Sequence, residues 1–230
     1  MGRALCAGSA AALLAGGAWA HGVGGGDAAF VTAAQGPQIV PFLYLGAKHM
    51  VTGYDHLLFL LGVIFFLRDL RHVALYVTMF SLGHSLTLLA GVLGRISVDP
   101  FLVDAVIGLS VVYKAFDNLG GFKTVFGVQP NPKAAVLGFG LVHGFGLATK
   151  LQQLNLSKDG LLANLVSFNL GVEVGQLIAL SAMLALVIAW RRQPGFGRQA
   201  LAANVLIMAA GFLLMQQQLA GYFMQGKGLA

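Results

Sequence analysis

Four histidines lie inside long apolar stretches of this 230-residue chain: His49, His56, His84 and His143. Beside them stand Asp55 and Glu173, the sole glutamate, with Asn169, Gln176, Ser81 and Ser85 at nearby helical positions. Imidazole and carboxylate without a thiolate make a nitrogen–oxygen donor set, which suits Ni, Co, Zn, Cu or Fe. Cys6 is the only cysteine and falls in the first few residues. A disulfide framework and a thiolate metal trap are therefore not expected of the mature chain.

The spacing is that of helix faces. His49 and His56 are two helical turns apart and share a face, with Thr52 between them. Asp55 points elsewhere on a regular helix; there it can orient an imidazole from a neighbouring helix through a ring N–H, or it joins the site if Gly53 permits a break. Ser81, His84, Ser85 and Thr87 follow one another on a second apolar run, where hydroxyls can also serve as hydrogen bonds between helices. His143 sits in Gly138-Phe139-Gly140-Leu141-Val142-His143-Gly144-Phe145-Gly146; glycines four apart let another helix come close but do not account for the imidazole. Asn169, Glu173 and Gln176 occupy one face by their i, i+4, i+7 spacing. Lys114 and Asp117 are three apart and are expected to pair locally. Asp104 is placed near an outer rim.

The elements that must position these groups are membrane helices. Hydrophobic residues make up 57% of the chain and charged residues 10%, and the mean hydropathy is +0.80; soluble domains carry roughly 25% charged residues. Six apolar blocks, 41–67, 73–94, 101–119, 134–151, 161–190 and 200–223, each approach the ~20 residues a spanning helix needs. They lack the period of two that a barrel requires. The expected fold is an all-α integral membrane bundle of about six helices, 41–223, with a short tail at 224–230 and no soluble domain. No convincing internal repeat is seen. The sixth block, apolar apart from Asn204 and Gln216-Gln217-Gln218, reads as scaffold.

The amino end carries Arg3, a short apolar run and Ala18-Trp19-Ala20, the pattern of a secretory signal peptide over 1–20. Cleavage would make His21 the new terminus. Residues 21–40 read as a flexible periplasmic lead-in. With the first span starting outside, Arg68, Arg71, Lys123, Lys133, Arg191, Arg192 and Arg198 fall in inner connections, and Arg95, Lys150, Lys158 and Lys227 in outer ones. The excess inside agrees with the positive-inside rule and places the chain in a bacterial inner membrane. The formal charge of +6 is thus loop charge beside lipid, not a nucleic-acid surface. No G-x4-G-K-[ST] nucleotide loop is present.

With these residues assembled, the chain resembles the HupE/UreJ family, in its second branch. The resemblance rests on His49-x5-Asp55-His56 within Gly46 to Leu61, on Gly83-His84-Ser85-Leu86-Thr87-Leu88, on Leu141-Val142-His143-Gly144-Phe145-Gly146, and on Phe168-Asn169-Leu170-Gly171-Val172-Glu173-Val174-Gly175-Gln176. It covers about 41–186. It implies a six-helix inner-membrane protein, often with a cleaved signal, that in its nickel-handling branch supplies metal to hydrogenase or urease. That branch carries F-H-G-x-x-H-G-x-E. Here Gly140, His143 and Gly144 match, while Phe139 replaces the first His and Gly146 the Glu.

The expectation is a divalent-metal permease or metal-supply accessory protein for nickel, cobalt or zinc, possessing no nucleotide cofactor. His49, His56, His84, His143 and Glu173 would be its metal ligands; Asp55, Asn169, Gln176, Ser81 and Ser85 would support them. Hydrogenase or urease maturation proteins are the expected partners. Other classes stay open: an intramembrane zinc hydrolase, although H-E-x-x-H is absent; a bis-His haem protein; or a noncatalytic membrane partner of a metalloenzyme assembly system.

Overall fold

The computed structural model describes residues 25–67, 70–154 and 157–226. The signal segment 1–20, Cys6, His21, Arg68 and Lys227 lie outside them. The described residues form helices and no strands: α1 Gly25–Ala33, α2 Ile39–Thr52, α3 Tyr54–Ile64, α4 Leu70–Gly94, α5 Pro100–Asn118, α6 Gly121–Phe126, α7 Pro132–Gln153, α8 Leu161–Arg191 and α9 Phe196–Gly226. Within the stretch expected to be a flexible lead-in, α1 is held by Val31, which is buried, and by the Lys48–Asp27 ion pair at 2.7 Å. Starts are set by local chemistry. Asp99 and Asn131 cap α5 and α7, each accepting from two backbone N–H groups, and each is followed by a proline at the first helical position.

Four helices, lying within α4, α7, α8 and α9, are long and apolar enough to cross a bilayer. The surface is inside out relative to a soluble protein. Leu186, Leu206 and Leu213 are exposed, while Asp55, His56, His84, His143 and Asn204 are buried. The protein is an all-helical membrane protein. Helix α5 is diluted by Asp104, Lys114 and Asp117. The first expected span is not one helix: it breaks at Gly53 into α2 and α3.

The helices associate as close pairs, α2 with α8, α4 with α7, and α5 with α9. At one end of α8 the Asn164 side chain accepts from the Gln38 backbone N–H and donates to the Gly36 carbonyl. Arg191, at the other end, donates to the carbonyls of Ile64, Phe65 and Leu67 and so closes the end of α3. Thus α2 and α3 together run parallel to α8 along its length. Helices α4 and α7 are also parallel, since Phe80 lies on Gly140 and Ala148 on Gly91. Helix α3 is antiparallel to α4, with His56 near His84 and Phe59 near Phe80. Helix α5 is antiparallel to both α9 and α7, because Phe101 lies on Gly221 and Asp104 pairs with Lys150.

These contacts repeat, and the expectation of no internal repeat is corrected. A Cβ on Gly46 would strike the Phe168 carbonyl, and one on Gly140 would strike the Phe80 carbonyl. Gly171 is pressed on Leu43 and Ala47, and Gly83 on Leu137 and Leu141. Gly175 rests on the Ala47 carbonyl; Thr87, in the matching place, donates to the Leu141 carbonyl at 2.7 Å. Gly108 meets the Met215 nitrogen, as Gly211 meets the Val112 nitrogen. Leu43, Gly46, Ala47 and His49 therefore correspond to Leu137, Gly140, Leu141 and His143. Phe80, Gly83 and Thr87 correspond to Phe168, Gly171 and Gly175. The first half, α2 to α5, maps onto the second, α7 to α9, with every helix direction reversed: an inverted repeat about a two-fold axis across the bundle. The sequence trace of it is slight, Gly-x-x-His twice and Phe-x-Leu-Gly twice, because only backbone approach is constrained.

Candidate metal site

The site starts from the break between α2 and α3. Gly53 has φ −73° and ψ 95°, and its N–H still bonds the His49 carbonyl. What glycine supplies is room: a Cβ would stand 3.0 Å from His56 Nδ1, 3.1 Å from the His49 oxygen and 3.3 Å from Asp55 Oδ1. Asp55 opens α3. Its Oδ1 accepts from the His56 backbone N–H at 2.7 Å and lies 3.0 Å from His56 Nδ1. A carboxylate in a first turn suits the positive end of the helix. It also assigns the proton to Nδ1 and leaves the lone pair on Nε2.

His56 is the hub. Its ring centroid lies 4.9 Å from His143, 5.3 Å from His49 and 6.0 Å from His84. His56, His84 and His143 are at most 1% exposed. His143 Nδ1 faces its own helix's Phe139 carbonyl at 2.7 Å, which again assigns the lone pair to Nε2. His84 makes no hydrogen bond through either ring nitrogen among the described residues, nor does His49 Nε2. Phe59, Phe80 and Phe168 wall the cluster; Phe80 stands 5.0 Å from His143 and Phe168 5.9 Å from His49.

A metal–nitrogen bond of ~2.0–2.1 Å puts a bound ring's centroid about 3 Å from the ion, so two rings on one tetrahedral ion stand roughly 5 Å apart. The separations of His56 from His143 and His49 are close to that value, and that of His84 from His56 is larger, at 6.0 Å. As the side chains stand, no three of His, Cys, Asp and Glu among the described residues are arranged to hold an ion. The four imidazoles are gathered around His56 but do not form a ready-made metal site among the described residues.

The other expected residues divide. Glu173 is exposed and, among the described residues, no hydrogen bond, ion pair or ring contact joins it to the histidines. It lines a groove of about 270 Å³ between α4 and α8, together with Ser81, Ser85, Gln176 and Thr78. Gln176 also donates to the Val77 carbonyl at 3.3 Å. Asn169 is buried and donates to the Leu165 carbonyl of its own helix. Lys114 and Asp117 pair at 2.6 Å, as the spacing expects. Asn204, read as part of a scaffold helix, is fully buried and accepts from Asn118 at 2.9 Å.

Sequence reasoning did not reach one element of this region. Lys150, read as a loop charge, lies in the last turn of α7 and bonds Asp104 of α5 at 2.8 Å, with both side chains largely buried. A signal was present: Lys150 follows His143 by two helical turns, as His56 follows His49.

A family model described as HupE / UreJ protein matches residues 26–226. No curated protein and no solved structure matches the chain.

Proposed function

From its membership of the HupE/UreJ family, to which the chain belongs, and from its cluster of imidazoles, we propose that the protein is an inner-membrane divalent-metal permease of nickel/cobalt type that supplies metalloenzyme assembly. The single observation that carries the reading is His56, held by Asp55, within 6.0 Å of three further histidines, the half-buried His49 of α2 and the buried His84 of α4 and His143 of α7. Imidazoles of this kind are costly in a bilayer unless they serve one another or an ion. His49, His56, His84 and His143 would take the ion in turn. Glu173 would attract it from the groove between α4 and α8, a mostly apolar cleft in which Ser81, Ser85 and Gln176 add polar groups.

In this reading the chain crosses the membrane six times, through α2–α3, α4, α5, α7, α8 and α9. The first twenty residues are a cleaved signal, and the mature amino end is periplasmic. Hydrogenase or urease maturation proteins receive the metal inside. A membrane potential suffices as driving force, since a dication gains ~4.6 kcal/mol per 100 mV inward. The phenylalanine wall keeps the pocket dry enough that the imidazoles replace the ion's water shell.

The test is uptake of Ni²⁺ and Co²⁺ into sealed vesicles bearing the protein, with His56→Ala beside the wild type. The expected result is saturable uptake that falls to the protein-free level in the variant. Uptake that survives His56→Ala refutes the proposal.

A further inference from the structure

The two-fold relation between the halves gives each residue of the first span a counterpart in α7. Carried along the helix, His49 maps to His143, Asp55 to Thr149 and His56 to Lys150. The counterpart of the hub imidazole is therefore the buried ammonium that holds Asp104. Thr149 is 2% exposed, and its hydroxyl makes no hydrogen bond among the described residues. Next to His143 on the same helix, a Cβ on Gly146 would meet Val103, Ile107 and, at 3.6 Å, Asp104 Oδ1. The pair thus stands one to two turns from His143, toward the end of the bundle where α1 reaches α7 through Thr32 and the Leu154 carbonyl.

Resting on the metal-permease reading, we infer that Asp104 and Lys150 form a second arm of the cation site. Asp104 is the carboxylate that receives the divalent ion, and Lys150 is the tethered cation that takes the ion's place when the site is empty.

The chemistry follows from what each group can tolerate. A carboxylate buried at 7% exposure needs a positive partner. A dication can replace an ammonium in that role and brings one more charge. Lys150 has somewhere to go: it lies in the last turn of α7, where carbonyls without helical partners and the negative end of the helix dipole favour a cation. A lysine is a point charge on a flexible stem, suited to leave and return; an arginine fork would hold the carboxylate by two bonds. The exchange also provides selectivity. A monovalent ion gains nothing over the ammonium already present, whereas a divalent ion does.

The experiment is Ni²⁺ binding by calorimetry to the purified full chain in detergent, with uptake in vesicles beside it. Lys150→Met should bind Ni²⁺ at least tenfold more tightly than the wild type and release it more slowly, so that uptake falls. Asp104→Asn should bind at least tenfold more weakly. Lys150→Arg keeps the ion pair and the fold, and should weaken binding because its fork leaves Asp104 reluctantly. The neutral double variant Asp104→Asn/Lys150→Met should fold and bind like Asp104→Asn alone. If the wild type binds Ni²⁺ and Lys150→Met and Lys150→Arg bind it equally well, the pair is a structural bridge: this inference is overturned while the histidine site stands. If none of these proteins binds Ni²⁺, both readings fall. Should Lys150→Met not fold, Lys150→Arg and the double variant decide alone.

Discussion

His56 is fixed by Asp55 through two bonds to one oxygen, at 2.7 Å from the backbone and 3.0 Å from the ring. Asn at position 55 keeps the size and loses the charge. It should leave the cluster assembled and lower Ni²⁺ affinity by roughly 10–100-fold, the usual cost of losing the carboxylate behind a metal-bound imidazole. Calorimetry on Asp55→Asn checks this; unchanged affinity would mean that Asp55 only starts the helix. The histidines were legible in the sequence because an imidazole in an apolar run is expensive wherever it points. Glu173, by contrast, is exposed in the groove between α4 and α8. Its spacing from Asn169 and Gln176 gave a shared face, but the rotation of α8 about its own axis depends on α2, whose Gly46 and Ala47 press on Phe168, Gly171 and Gly175. The sequence of α8 holds no record of that rotation.

At the scale of helices, the apolar runs gave the elements and most of their ends, since lipid demands long, internally bonded segments. Packing was less visible. Small residues mark where helices approach, but which glycine meets which backbone requires the partner. The structure now separates glycines that look alike in sequence. Gly140 lies against Phe80 backbone atoms that cannot move aside, whereas a Cβ at Gly138, two residues earlier, would meet nothing within 4 Å. Gly140→Ala and its counterpart Gly46→Ala should each lower stability by about 1–3 kcal/mol, the range for overpacking. Gly138→Ala should be neutral or gain up to ~1 kcal/mol from helix propensity. Thermal unfolding in detergent compares the three. Equal effects at Gly138 and Gly140 would contradict the assigned contact of α4 with α7.

Helices α2 to α5 and α7 to α9 form an inverted repeat whose halves are not in the same conformation. The first span is broken at Gly53, while α7 runs unbroken through the corresponding place beside Gly146. If the protein is the permease proposed, two halves with matching contacts and different local shapes would exchange those shapes and so give access from the other side. In that exchange His49 and His143, counterparts of each other, would trade environments. The break at Gly53 should then heal as one forms in Gly144-Phe145-Gly146, and the two ends of the bundle should move in opposite senses. Val40 and Leu102 are exposed near one end; their counterparts, Ala134 and Val205, are exposed near the other. Spin labels on the pair 40/102 and, in a second sample, on 134/205 should give distance distributions that shift in opposite directions when Ni²⁺ is added to protein in bilayers. Both pairs lengthening together would indicate general loosening. Both staying fixed, while uptake is measured in the same vesicles, would make the protein a channel with a static site and remove the functional meaning of the repeat.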